Sequence, residues 1–365
     1  MQKDMHYFGT YAIARAAGIK PEDAQVIASA AQFVDDNSTI KKIDFEDKGS
    51  LNSRPTAHGK LGAWKNMFPR FQREVWIPFH FLPGGSGEDF LSKIECQQDS
   101  DIAKEMVQNH LNHNDDDIYK QLLGITAHVY ADTFSHYGFS GLSSNKNDID
   151  VESIKLSKST NDKYITSISK RSQLKKQGLR AGRAVSRCLG KTLGQIAECI
   201  SNDLGHGGVY TYPDAPFLEW SFNFEDGRPS NRKNSESFLL GCEALYKMFR
   251  ESCIIKPELY AGNHKDFTQI KASLKDILEF NGDEDERIKN WKDKFSNESA
   301  NFTEVSESFR NYLGDSWNKE RTKLDNSANS TQLLKSNVFN FYKAASYHRH
   351  YVLRDLLPEH GIVVF

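Results

Sequence analysis

Residues 122–136 are almost continuously apolar, yet they carry His128, Asp132 and His136 at intervals of four residues. A four-residue step on a helix turns by about 40°, so the three polar side chains stay on one face. Ile125, Val129 and Phe134 flank them, which predicts that the segment is buried. A buried helix that presents two imidazoles and a carboxylate along one stripe has to satisfy them. A divalent metal does this well, because zinc takes His nitrogen and carboxylate oxygen in a dry site. A hydrogen-bonded polar network, or a stripe turned to solvent, would use the same residue types; the metal is the favoured reading.

The rest of the chain predicts a mainly α fold. Tyr7, Phe8, Tyr11 and the alanines around them form an apolar helix ending at Gly18. Pro21, Glu22 and Asp23 open a second one that runs to Asp35 and Asp36, since proline and acids suit a first turn. Residues 37–60 are a polar loop or short strands. Helices are expected near 99–112, 116–136, 180–203, 235–254, 267–280, 284–295, 302–325 and 331–356, the last with Leu333, Leu334, Val338, Phe341 and Ala345 at helical spacing. Residues 142–170, rich in Ser, Asn, Asp and Lys, form a polar insertion. The expectation is one large α-helical domain over residues 1–365, with a buried His/Asp metal centre, long polar loops and a C-terminal helical part from about residue 235.

Further candidate ligands lie outside the stripe. His80 sits between Phe79 and Phe81 in a segment bracketed by Pro78 and Pro83, and is read as a ligand rather than a lone core histidine. His6 begins an apolar helix, so its ring is expected to point inward. Asp35 and Asp36 end a helix, where acids oppose its dipole unless a cation or arginine answers them; a plain solvated cap is the alternative. His58 and His206 are followed by glycines, in loops that something else can approach closely. His110 and His113 adjoin an Asn-Asp-Asp-Asp turn and are read as solvated, and His348 and His350 fall on opposite sides of the last helix.

Several classes are excluded by what is missing. The net charge is −2, which gives no strong nucleic-acid signal. The five cysteines form no C-x-x-C pair, which argues against a disulfide framework or cysteine zinc knuckle and fits a reducing compartment. No apolar leader or stretch of transmembrane length is visible, so a cytoplasmic protein is expected. H-E-x-x-H, phosphate-loop, dinucleotide and Gly-x-Ser-x-Gly motifs are absent, as is an adjacent His-Asp pair.

Asp4, His6 and Tyr7, the Phe33-Val34-Asp35-Asp36 helix end, Thr56-Ala57-His58, Pro78-Phe79-His80-Phe81-Leu82-Pro83, and Gly205-His206 with Tyr212-Pro213-Asp214 together resemble an uncharacterised bacterial family. More distantly, the order of histidines and aspartates is similar to the zinc-dependent phospholipase C and single-strand nuclease superfamily. Those are α-helical proteins with a trinuclear zinc cluster that cleave phosphate esters. The resemblance implies that His6 matches the early histidine, Asp35 or Asp36 the lone aspartate and His80 the next histidine. His128 and Asp132 match the His-x-x-x-Asp pair, the most specific element, and His136 and His206 follow. Two positions depart from the pattern. Members begin with a tryptophan whose amino group binds zinc, where this chain has Met1. Their last pair is His-x-x-x-Glu or His-x-x-x-Asp, where His206 is followed by Tyr210 and Asp214 lies farther along. One or two metal ions are therefore expected rather than three.

These readings converge on a metal-dependent hydrolase of phosphate esters. Its metal ligands would be His128, Asp132, His136, His80, His6, His58 and His206, with Asp35 or Asp36 accepting a proton from the attacking water. Zinc fits the donor set, and the substrate would be a small phosphate ester or a lipid headgroup. The alternative is a non-catalytic α-helical scaffold with a structural metal site, in which the polar insertion and the aromatic residues 210–220 face a protein partner.

Overall fold

In a computed structural model, residues 1–39, 41–57, 69–157, 205, 206, 209, 211–296, 302–304, 307–327 and 334–364 are described. His58 and the helix expected at 180–203 lie outside these residues. The fold is mostly helical with a small amount of sheet, and none of the described helices is long and apolar enough to cross a membrane.

Helix α1 opens with a π-helical turn, Asp4–Gly9, and continues as Thr10–Ala16. Helix α2, Pro21–Asp36, starts on its proline with Glu22 and Asp23 in the first turn. A two-stranded antiparallel ribbon follows, β1 Lys41–Asp44 with β2 Ser50–Ser53. Helix α3 joins Pro69–Phe71, a π-helical stretch Gln72–Trp76 and Ile77–Phe79, and delivers His80 at its end. Helix α4, Asp101–Leu111, is capped by the Ser100 side chain, which accepts from the Ala103 N–H. Helix α5, Asp116–His136, is capped by Asp115 and is buried along nearly its whole length.

The sheet is β3 Ile149–Leu156, β4 Glu219–Phe224 and β5 Pro229–Lys233, antiparallel in that order. Helices α6 Asn234–Ile255, α7 Phe267–Leu278, α8 Glu284–Ser296, α9 Gly314–Ser327 and α10 Asn337–His350 are the longer helices that follow among the described residues. A π-helical turn, Tyr351–Leu356, extends α10.

Helix α5 is the axis of the fold, packed against α2, α4, α6 and α10. A central helix has no solvent-facing side, so its polar residues, the His128, Asp132 and His136 stripe among them, are buried with the rest. The approach of α2 is set by Gly124, where a β-carbon would come within 2.2 Å of the Ile27 carbonyl and 2.7 Å of Ala30 Cβ. The main core is the helical one. A second, smaller aromatic core gathers Phe81, Phe139, Tyr212, Trp220, Phe222 and Phe224 between the sheet and the end of α5. The buried pair Arg287 and Asp4, 2.6 Å apart, ties α8 to the start of α1.

The polar insertion expected at 142–170 is in part a strand. Ile149–Leu156 pairs with Glu219–Phe224, while residues 158–170 lie outside the described ones. The signal for β4 is an alternation that buries Trp220, Phe222 and Phe224 and leaves Glu219 and Asn223 exposed. Tyr212 and Trp220 therefore face inward rather than towards a partner. Helix α9 starts at Gly314, later than the expected 302. His110 is buried rather than solvated: its ring packs against His348, and its Nδ1 donates to Thr126 Oγ1.

Replacing Gly124 with valine forces α2 away from α5. The expected loss is about 1–3 kcal/mol of unfolding free energy in urea, the usual cost of overpacking a close helix contact.

Candidate metal centre

The site is built outward from α5. His128 Nδ1 donates to the Ala31 carbonyl of α2 at 2.9 Å. His136 Nδ1 donates to the His80 carbonyl at 2.7 Å. His80 Nε2 donates to the Thr56 carbonyl at 2.8 Å. A carbonyl can only accept, so each contact requires a proton on that ring nitrogen and turns the other one towards the interior. These second nitrogens converge. His128 Nε2 and His80 Nδ1 are 3.3 Å apart, and Asp132 Oδ2 lies 3.3 Å from the first and 3.5 Å from the second.

Helix α1 adds His6, which stacks on His128 with ring centroids 3.8 Å apart. Its Nε2 is 3.3 Å from Asp132 Oδ1 and 3.8 Å from Asp35 Oδ2. The other oxygen of Asp35 is 3.8 Å from His80 and 3.9 Å from His128. Asp35 and Asp132 thus each present one oxygen to His6 and the other to the pair His80 and His128. Neither ring nitrogen of His6 has a hydrogen-bond partner, and neither does Asp132 Oδ2.

A second cluster lies at the end of α5. His136 Nε2 is 3.0 Å from Asp214 Oδ1, and His206 Nε2 is 3.6 Å from Asp214 Oδ2. The Met1 ammonium sits between the clusters, 2.7 Å from Asp132 and 3.1 Å from Asp214. Three groupings can each hold a metal ion: His6, Asp35 and His128; His80, His128 and Asp132; and His136, His206 and Asp214.

The electrostatics follow from this crowding. Burial works against the Met1 ammonium, but Asp132, Asp214 and Asp35 outweigh it and lift the group to about 11. Burial also penalises the two buried carboxylates. For Asp132 the opposing charge of His136, then of the ammonium, His128 and His6, wins and holds it well below the usual range. For Asp214 the ammonium and His206 have the same effect. Burial and the neighbouring His128 push His6 down to about 4. Desolvation lowers His80 too, but Asp132 and Asp35 overcome it and raise the ring. Asp132 and Asp214 thus stay ionised, as metal ligation requires.

The structure brings His6, Asp35, His80, His128, Asp132 and His136 together, with His206 at the second cluster. Asp36 is turned away: Tyr312 Oη donates to its Oδ2, and Gln32 Nε2 lies 3.3 Å from its Oδ1. It is not placed as the proton acceptor that the sequence allowed. Asp214, which lies farther from His206 than the His-x-x-x-Asp pattern allows, is brought back by a loop. Asn234 donates to the Tyr212 and Ala215 carbonyls at 2.6 and 2.8 Å, which fixes Asp214 between them.

Residues 1–356 match the family of unknown function DUF6765. The chain belongs to that family. No curated protein and no solved structure matches the chain.

Around the centre, this DUF6765 chain uses buried arginines and a buried histidine to hold main-chain carbonyls. Arg232 donates to the Ser135 carbonyl at 2.9 Å and to that of Tyr137, bracketing His136. From α10, His348 Nε2 donates to the Pro78 carbonyl at 2.7 Å. Arg349 donates to the Glu74 carbonyl at 2.7 Å and the Pro55 carbonyl at 2.6 Å. Both residues thereby grip the segments that carry His80 and its partner Thr56. Free hydrogen-bonding groups at π-helical turns such as Gln72–Trp76 call for partners of this kind.

Burial lowers His348 from 6.5 to about 4, so the native state keeps it neutral where the unfolded chain takes up a proton. The unfolded state then binds more protons below about pH 6.5, and unfolding free energy falls as pH drops from there towards about 4. Urea titrations at pH 7, 5.5 and 4.5 measure this fall. A His348→Gln variant, whose amide can still donate to Pro78, is expected to show a shallower one.

Proposed function

We propose that this protein is a metal-dependent hydrolase of phosphate esters. The observation that carries the reading is the set of convergent acceptors around Asp132. The His80 and His128 ring nitrogens lie 3.5 and 3.3 Å from Asp132 Oδ2, a buried carboxylate oxygen with no hydrogen-bond partner, and a cation would satisfy all three. A cation could be held by His80, His128 and Asp132 or by His6, Asp35 and His128, and another by His136, His206 and Asp214. Nitrogen and carboxylate donors without thiolate suit zinc, and manganese or iron as well.

Divalent cations held this way supply charge for phosphoryl oxygens and lower the pKa of water beside them. The chain supplies the rest. His128, His80 and His136 are locked in orientation by the Ala31, Thr56 and His80 carbonyls, which raises their strength as ligands. Asp35 has 31% of its side chain exposed, against 2% for Asp132, and so stands at the open edge of the centre. There it can accept the proton of an attacking water. His206 is the other accessible member, with 17% of its side chain exposed. An accessible edge favours a catalytic site over the closed site of a structural scaffold. The substrate class is a small phosphodiester or a phospholipid headgroup.

The test begins with metal analysis of the purified protein. At least one equivalent of zinc or manganese is expected, falling in Asp132→Asn. The loaded protein is expected to hydrolyse bis(p-nitrophenyl) phosphate or p-nitrophenyl phosphocholine, and Asp132→Asn to lower kcat/KM by about 100-fold or more. Asp35→Asn is expected to reduce kcat by more than it reduces metal content. Metal retained without turnover of either ester assigns the site to a structural role. Failure to take up metal removes the reading altogether.

A further inference from the structure

A separate cleft of about 740 Å³ lies between the C-terminal half of α4, the turn that follows it, and α10 with its π-helical extension. None of its lining residues belongs to the His/Asp clusters. One wall is aromatic. Tyr347 and Tyr351, one helical turn apart and both half-buried, hold their rings within 4° of parallel, and the His113 ring lies 4.3 Å from Tyr347. The Tyr347 hydroxyl donates to Asn109 Oδ1 at 2.8 Å, which fixes that ring. The carboxamide residues Gln108, Asn109, Asn112 and Asn114 also line the cleft.

The charges at the cleft are already matched. Asp115 is paired with Lys343 at 2.6 Å, and Glu105 with His360 at 2.9 Å. No lysine or arginine lines it, so it offers nothing specific to a phosphate or other anion. A cleft of this size with two half-buried tyrosines and the exposed neutral amides of Asn112 and Asn114 suits a ligand with an apolar face and a rim of hydroxyls.

We propose that the cleft binds a neutral pyranose unit of a glycan. The C–H face of the sugar would lie on Tyr347 and Tyr351, and its hydroxyls would meet Asn112 and Asn114. The site is independent of the metal centre and would hold the protein to a saccharide-bearing surface or substrate whatever chemistry that centre performs.

Saturation-transfer NMR and titration calorimetry test this with maltotriose, cellotriose and N,N′-diacetylchitobiose. At least one is expected to receive saturation on its ring C–H protons at millimolar concentration. Tyr351→Ala should weaken it about tenfold or more, and Tyr351→Phe should keep most of the affinity. Asn112 is exposed, so Asn112→Ala removes an amide without touching the core and should also weaken binding. Asp132→Asn should leave saccharide binding unchanged, which separates this site from the metal centre. Absence of transfer to all three saccharides, affinity unmoved in a folded Tyr351→Ala or Asn112→Ala protein, or preferential binding of adenosine would each overturn the proposal.

Discussion

The structure turns on where three imidazole N–H groups point. His128, His80 and His136 each donate to a main-chain carbonyl, so each turns its other nitrogen to the interior. Asp132 faces those nitrogens from a position with almost no access to water. Acceptors that meet there with no proton or cation between them repel, and in a poorly solvated interior the repulsion is large. The Met1 ammonium, which donates to Asp132 Oδ1 at 2.7 Å, answers one of them.

Much of the surrounding architecture serves that centre. Gly124 lets α2 lie close enough to α5 for the Ala31 carbonyl to meet His128 and for Asp35 to reach the same cluster. The pair Arg287 and Asp4 anchors the π-helical turn that carries His6. Arg232, His348 and Arg349 hold carbonyls on either side of His136 and behind His80. Burying guanidinium groups is expensive, and hydrophobic residues of similar volume often stabilise as well or better. Their use here fits a need for fixed backbone position more than for stability.

The helical part of this fold could be read directly because helix signals are local. Pro21 with its two acids marks the start of α2, and the continuous apolar run of α5 marks a central helix. The sheet was hidden for the opposite reason. β4 and β5 are short, and β3 lies inside a stretch whose composition is that of a loop. Only the alternation of Trp220, Phe222 and Phe224 announced them. His110 misled because its neighbours 113–117 form a polar turn, whereas its own position on α4 points it at α5 and α10.

For the site, the sequence alone determined that His128, Asp132 and His136 share one buried stripe, since a four-residue spacing is a property of the helix itself. It also singled out His6, at the start of an apolar helix, His80, between two phenylalanines, and the Asp35–Asp36 pair, without separating the two acids. Tertiary structure decided the rest. Asp214 joins His136 across 78 residues through a loop held by Asn234, and no helical spacing can encode that contact. Asp35 and Asp36 are adjacent in the chain, yet the helix end turns one towards the cluster and the other towards Tyr312. Which carboxylates complete the centre is settled by loop closure and helix crossing, and these depend on the whole packed chain.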